Sequence, residues 1–228
     1  TLSNSYHGET LGALAVGDTG LYRDTYAPLM LTPITVPSPD CSLMQPNGRQ
    51  PGESWEDYSR RRFDDTLRVL EARADEICAV IVEPLLQCAG GMRMYHPVYL
   101  ERLREACTRL DIHLIADEIA VGFGRTGTWF AIEHSGVVPD LITVAKSMAG
   151  GYPIAGVIGR AEIMDAVQPG GIGGTFGGNP VSTAAALKVF EIIRPEKILR
   201  VAWKQLAKLG GSKIRSGDVI RVIQLATG

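Results

Sequence analysis

Apolar residues along the chain fall in two patterns. Four short runs, 77–82, 112–116, 141–145 and 154–158, are apolar without strict alternation, as expected of strands in a parallel sheet covered on both faces. Between them lie helical periodicities. Residues 97–110 place Val98, Leu103, Ala106, Cys107 and Leu110 on one face, with Pro97 suited to a first turn. Residues 64–76 place Leu67, Leu70 and Ala74 together, and Asn179-Pro180 reads as a cap and first-turn proline of a helix reaching about Ile193. Strands alternating with helices predict βαβ units and an α/β fold. Residues 33–52 hold five prolines and little periodicity, which predicts a long surface loop. The segment 219–225 reads as the start of a strand in a second, smaller domain. No internal repeat is present.

Composition narrows the class. With 228 residues, 45% hydrophobic and 21% charged, the chain has the apolar mass for one large domain, or one domain plus a fragment, and is not a disordered sequence. No apolar run approaches the roughly 20 residues of a membrane-spanning helix, and residues 1–20 lack a basic start followed by an apolar stretch, so neither a span nor a signal peptide is expected. A formal net charge of −2 argues against a nucleic-acid partner. Residues 196–228 carry seven Lys/Arg and two acids, either a basic patch or a solvated helix face. The four cysteines lack paired spacing and read as free thiols in a reducing cytoplasm. Glycine is frequent, 26 residues where ~7% is usual, and clustered, which suggests turns built close to a ligand.

Three ionisable residues each follow a predicted strand at its C-terminal end. They are Glu83, Asp117 and Lys146, spaced 34 and 29 residues apart, about one βαβ unit each. Ligands of open α/β sheets bind outside the carboxyl ends of the strands, so two acids and one amine are expected in one crevice. Taken singly, each is equally well an exposed loop residue. Lys146 and Asp117 form either a plain ion pair or a cofactor site. In the second case the amine takes an aldehyde as a Schiff base and the acid holds a protonated ring nitrogen, the pair of groups that pyridoxal phosphate requires.

Gly173-Gly174-Thr175-Phe176-Gly177-Gly178-Asn179-Pro180 is either a flexible glycine loop or an anion seat at a helix start. Tyr6-His7-Gly8 offers an aromatic face with a glycine beside it. Gly122 to Gly127 matches GxGxxG, but the strand before it ends near Asp117, five residues too early for a dinucleotide turn. Arg125 within it either binds a substrate carboxylate or phosphate, or is a turn residue paired with a surface acid. Metal-ligand spacing and a Gly-x-Ser-x-Gly elbow are both missing, so neither a metal site nor a serine hydrolase is expected.

With these segments in hand, the chain resembles the class III pyridoxal-phosphate aminotransferases of fold type I. The likeness rests on Ile115-Ala116-Asp117-Glu118-Ile119-Ala120-Val121-Gly122-Phe123-Gly124-Arg125-Thr126-Gly127 and Ala145-Lys146-Ser147-Met148-Ala149-Gly150-Gly151, and runs over about residues 3–195. It implies a mostly parallel central sheet with helices on both faces. Residues 1–195 would form the cofactor-binding large domain, lacking its N-terminal part, and 196–228 would begin a small C-terminal domain or the linker to it. The implied cofactor is pyridoxal 5'-phosphate, with Lys146 as its Schiff-base lysine and proton carrier, Asp117 on the pyridine nitrogen and Ile119 beneath the ring. Tyr6 and His7 would lie beside the ring, and Gly174 and Thr175 would contact the phosphate of a neighbouring subunit's cofactor in a homodimer. Tyr6, Glu83, Gly173 and Arg125 make up the expected substrate side, which would receive a small amine donor and an oxo acceptor.

Within the class, Tyr6 to Ala13 and Val82 to Pro97 resemble the biotin-pathway branch, the adenosylmethionine–8-amino-7-oxononanoate aminotransferases. The chain after Lys146 is more similar to the 4-aminobutyrate branch. The first resemblance leads, because its segments lie nearer the substrate. The family's phosphate loop would precede residue 1, and its substrate-carboxylate arginine belongs to the C-terminal domain. A non-catalytic fragment that binds cofactor or another chain is therefore a reading of a different class, and an aminomutase or racemase is a related one.

Overall fold

The computed structural model describes residues 1–41 and 48–193. The basic stretch 196–228 and the strand expected at 219–225 lie outside the described residues. The chain divides into two compact units: Thr1–Asp117 with His134–Ile142, and Glu118–Glu133 with the described chain from Thr143 onward.

In the first unit, two short helices, α1 (Leu11–Val16) and α2 (Gly20–Arg23), precede the long helix α3 (Trp55–Ala72). Helix α3 begins nine residues before the apolar stripe that predicts it. Ser54 Oγ accepts the Asp57 N–H at 3.0 Å, and Glu56 pairs with Arg60 one turn on, so capping and ion pairs carry the polar first turns. Strand β1 (Ala79–Val82) is followed by a hairpin of two-residue strands, β2 (Leu86–Gln87) and β3 (Arg93–Met94). Helix α4 (Val98–Arg109) then leads into β4 (His113–Asp117). Helices α3 and α4 pack together around Phe63 and Tyr99, whose rings meet edge-on at 5.4 Å, and the Thr66 hydroxyl bonds the Tyr99 hydroxyl at 2.8 Å. Leu100 and Leu103 are fully buried beside them.

Strand β1 pairs with β4 in parallel, Ala79 opposite His113 through Val82 opposite Ala116. Strand β5 (Leu141–Val144) lies next to β4 and runs the same way: Asp140 donates its N–H to the Leu114 carbonyl, and Glu118 donates to that of Thr143. The Asp140 carboxylate accepts the Leu114 N–H at 2.7 Å and pairs with Arg104 at 2.6 Å. Strand order is β1-β4-β5-β6, with β6 at Gly156–Gly159. The four predicted strands are thus present, each shifted by at most two residues.

The second unit adds α5 (Ala161–Met164) and α6 (Pro180–Ile193). Asn179 caps α6, its side-chain oxygen accepting the N–H groups of Val181 at 2.9 Å and Ser182 at 3.3 Å. A 3₁₀ turn at Lys146–Ala149 packs against α6, and the Phe123 ring stacks on Phe190 of α6 at 5.7 Å.

Within the expected surface loop 33–52, residues 36–41 depart from that expectation, while Gly48, Gln50, Pro51 and Gly52 are exposed. Val36, Asp40 and Cys41 are buried. Val36 bridges Leu2, and the Cys41 N–H reaches the Met94 carbonyl at 2.7 Å, so backbone pairing draws an irregular, proline-rich segment into the interior. Among the described residues no helix is long and apolar enough to cross a membrane.

The packing ranks two substitutions. Leu103→Ala should lower unfolding free energy by about 2–5 kcal/mol, and Ser54→Ala at the exposed cap by about 0.5–2 kcal/mol. Urea titrations of both variants check the order; an equal or reversed ranking would contradict this description of the core.

Candidate active site

Glu83 is the first residue past β1, and Asp117 is the last of β4. The register that pairs Val82 with Ala116 therefore sets two acids side by side at one strand end. Both are interior, Glu83 at 4% and Asp117 at 3% exposure. Such burial demands donors. Asp117 Oδ2 lies 2.7 Å from His7 Nδ1, a contact closed to solvent on both sides. Glu83 Oε1 accepts the Tyr6 N–H at 3.0 Å, and Oε2 accepts the Cys88 N–H at 3.1 Å. The Tyr95 hydroxyl donates to the Glu83 carbonyl at 2.6 Å.

Gly90 brings the Cys88 loop against the segment leading into Tyr6: a Cβ there would stand 1.8 Å from the Asn4 carbonyl oxygen. Glu83 thus ties the Tyr6-His7 segment to that loop. Burial pushes its carboxyl up to about 7; the Tyr6 and Cys88 N–H groups and His7 pull it back, while Asp117 adds to the rise. The Tyr6 ring sits 5.3 Å from Tyr22, and its hydroxyl donates to Glu9 at 3.0 Å.

In the second unit, Lys146 opens the 3₁₀ turn two residues beyond β5. Gly150 and Gly151 follow with φ of +58° and +104°, a path that other residues rarely take. Lys146 lines a cleft of about 810 Å³ with Arg125, Tyr152, Ile154, Phe176 and Gly178. Arg125 Nε donates to Ser147 Oγ at 2.5 Å. Gly173, Gly174 and Thr175 are exposed in the turn before α6, outside the lining of that cleft. Ile119 is half-buried just beyond β4.

The GxGxxG segment is no βα turn. Gly122 donates its N–H back to the Glu118 carbonyl, and the chain goes on to a 3₁₀ turn at Ala131–Ser135 rather than a helix opening on the glycines.

Sequence reasoning passed over Glu118. Fully buried, its carboxylate accepts the N–H groups of Ala131 at 2.9 Å and Ile132 at 2.8 Å, fastening both ends of the loop that carries Arg125. The available signal was a second acid directly after a strand-end acid. The structure gathers Tyr6, His7, Glu83 and Asp117 in the first unit, and Arg125, Lys146, Gly177 and Gly178 in the second.

This constellation sits on a chain that belongs to the class III aminotransferases: residues 1–212 match the family described as "Aminotransferase class-III". The chain is 49% identical over 147 residues to the 4-aminobutyrate aminotransferase of Escherichia coli (strain K12), covering 64% of this chain and 33% of that protein. It is 45% identical over 165 residues to the adenosylmethionine-8-amino-7-oxononanoate aminotransferase of Helicobacter pylori, covering 72% of this chain and 34% of that one. Among solved structures, the omega transaminase from Pseudomonas jessenii in complex with PMP superposes with a TM-score of 0.77 at 30% identity, over 91% of this chain and 47% of that one. The fold is that of the fold type I pyridoxal-phosphate transaminases. The chain spans about a third of the length of these curated relatives.

The buried carboxyl yields a pH dependence. Glu83 rises from its ordinary 4.5 to about 7 in the folded state, so its protonated form contributes stability that is complete below about pH 4.5 and lost as pH passes about 7. Relative to Glu83→Gln, the wild-type chain should lose on the order of 3 kcal/mol across that window. Denaturant titrations of both proteins between pH 4 and 8 check this; a constant difference would contradict it.

Proposed function

We propose that the chain is the cofactor-binding portion of a pyridoxal-phosphate-dependent aminotransferase that moves an amino group from a small amine donor to an oxo acceptor. The observation that carries the reading is the Lys146 amine, set two residues past a strand end in a cleft of about 810 Å³. That volume is in the range of ~300–1,000 Å³ common to small-molecule sites. Residues 1–195 act as the large domain in this reading.

The residues fit the cofactor. An amine faces the cleft, Gly177 and Gly178 form part of its wall, and the capped N-terminus of α6 begins beside them. When bound, pyridoxal phosphate supplies an electrophilic aldehyde and an electron-accepting ring. Lys146 would hold that aldehyde covalently, then carry a proton to and from the substrate carbon that bears the nitrogen, worth roughly 10²–10⁴-fold in rate. Asp117 would hold the ring N–H, oriented by His7. Glu83 positions Tyr6 and His7 through the Tyr6 backbone and need not touch substrate. Ile119 and Tyr6 would flank the ring. Gly173 would lie on the substrate side, and Gly174 and Thr175 would serve the phosphate of the partner subunit's cofactor in a homodimer.

For substrate, the leading reading is the adenosylmethionine–8-amino-7-oxononanoate reaction of biotin biosynthesis, supported by Val82-Glu83-Pro84-Leu85-Leu86-Gln87-Cys88-Ala89-Gly90-Gly91 and by the Helicobacter pylori relative. The second is 4-aminobutyrate or another ω-amino acid as donor, supported by the segments after Lys146 and by the Escherichia coli relative.

Lys146→Ala should abolish the visible absorbance gained on adding pyridoxal phosphate, and cut amino transfer by 10² or more. A donor panel of adenosylmethionine, 4-aminobutyrate, diamines and β-alanine separates the two substrate readings. Undiminished transfer by the alanine variant would contradict the assignment.

A further inference from the structure

An apolar groove of about 610 Å³ opens in the first unit, and none of the candidate site residues lines it. Val69 and Leu70 of α3 form part of its wall, with Leu11, Leu29 and Leu31. The last three are exposed, Leu31 at 84%. Single exposed leucines are ordinary on a protein surface, but several sharing one groove mark an interaction site.

Two stretches of backbone also line this groove. One is Ala79–Ile81 of β1, the end strand of its sheet, paired only with β4 among the described residues. The His113 N–H donates to the Cys78 carbonyl, so the alternation of a parallel ladder turns Cys78, Val80 and Val82 toward β4. The N–H and C=O groups of Ala79 and Ile81 are left on the open edge, where no described residue bonds them. The other stretch is Ile34 and Val36. Val36 donates to the Thr1 carbonyl at 3.0 Å and accepts the Ser3 N–H at 2.8 Å, a parallel pairing with Leu2. The Ile34 carbonyl accepts the Thr1 amine at 2.9 Å, and the Ile34 N–H, on the same side, has no described partner.

This combination selects the occupant. An open strand edge calls for another backbone, and a lipid tail would cover the leucines while leaving buried N–H and C=O groups unpaired. Direction is set as well. Thr1 lines the groove and Tyr6 reaches Glu83 just past β1, so the chain between them travels the way β1 does. A parallel strand placed between two neighbours is apolar along its whole length.

We propose that this groove is a strand-acceptor site for an extended apolar peptide of a partner polypeptide. About five residues, at ~3.3 Å each, would lie parallel to β1, bond Ala79 and Ile81 on one edge, and continue toward Ile34 the pairing that Leu2 makes with Val36. Valine, isoleucine and threonine suit such a segment.

The full chain is titrated with fluorescein-labelled, acetylated and amidated Lys-Lys-Thr-Val-Ile-Val-Thr and followed by fluorescence anisotropy. Saturable one-to-one binding is expected. N-methylation of every second apolar residue keeps the side chains but removes donors, and should weaken binding roughly tenfold or more. Cys78 is exposed and lines the groove, so bound peptide should slow its alkylation by iodoacetamide while Cys88 reacts as before, read by peptide mapping. Val69→Arg puts a charge into the groove, and Ile81→Pro removes a donor from the open edge without breaking the ladder to β4. Both should abolish saturable binding. Circular dichroism checks their folds; if neither variant folds, the N-methylated peptide and the Cys78 footprint decide on the wild-type chain. Equal affinity for plain and N-methylated peptides would mark a merely apolar surface and overturns the proposal. So does the absence of saturable binding, or alkylation of Cys78 unchanged by peptide. Self-association of the chain that shields Cys78 without added peptide would make a second copy the occupant, and refutes the assignment to a partner peptide.

Discussion

Two carboxyl groups set next to each other in an interior repel each other and lose hydration, and the first unit is organised around that constraint. The parallel pairing of β1 with β4 makes the juxtaposition of Glu83 and Asp117 unavoidable. Neighbouring segments then supply what the acids lack. His7 meets Asp117, while the backbones of Tyr6 and Cys88 meet Glu83. Because Tyr6 and His7 lie 77 and 110 positions from the acids they meet, satisfying the acids also fixes where the Tyr6-His7 segment lies. A polar requirement, more than apolar packing, thereby shapes this end of the unit.

The second unit solves the opposite problem. Its cleft is lined by Arg125 and Lys146, and a buried acid, Glu118, accepts the backbone N–H groups of Ala131 and Ile132. The loop between β4 and β5 gains a braced shape from that carboxylate and from the aromatic cluster of Phe123, Trp129, Phe130 and Phe190. Arg125 and Lys146 both line the cleft.

Much of this was legible in the sequence, for identifiable reasons. The strands of the sheet were visible because each is a short continuous apolar run, and the acid or lysine at the end of three of them stands out; the expected cover on both faces is not found at β6, where Val157 and Ile158 are exposed. Helix α4 was visible because one face is buried along its whole length. Helix α3 was seen only in part, since its first turns are held by Ser54 and by arginine–carboxylate pairs that leave no apolar stripe. The β2–β3 hairpin was invisible: two residues per strand give no period, and its turn depends on Met92 at φ +55°. The identity of candidate site residues could be read from strand ends, but not their partners. Nothing local announces that His7 meets Asp117 across 110 positions, or that Glu118 spans to Ala131 and Ile132.

The central claim is that one particular amine, among the lysines of this chain, captures an aldehyde-bearing cofactor. The most direct measurement is borohydride reduction of the chain after incubation with pyridoxal phosphate, followed by peptide mapping. The account predicts a single phosphopyridoxyl-modified peptide, the one carrying Lys146. Label spread over Lys188 and the lysines beyond it, with Lys146 unmodified, would contradict it.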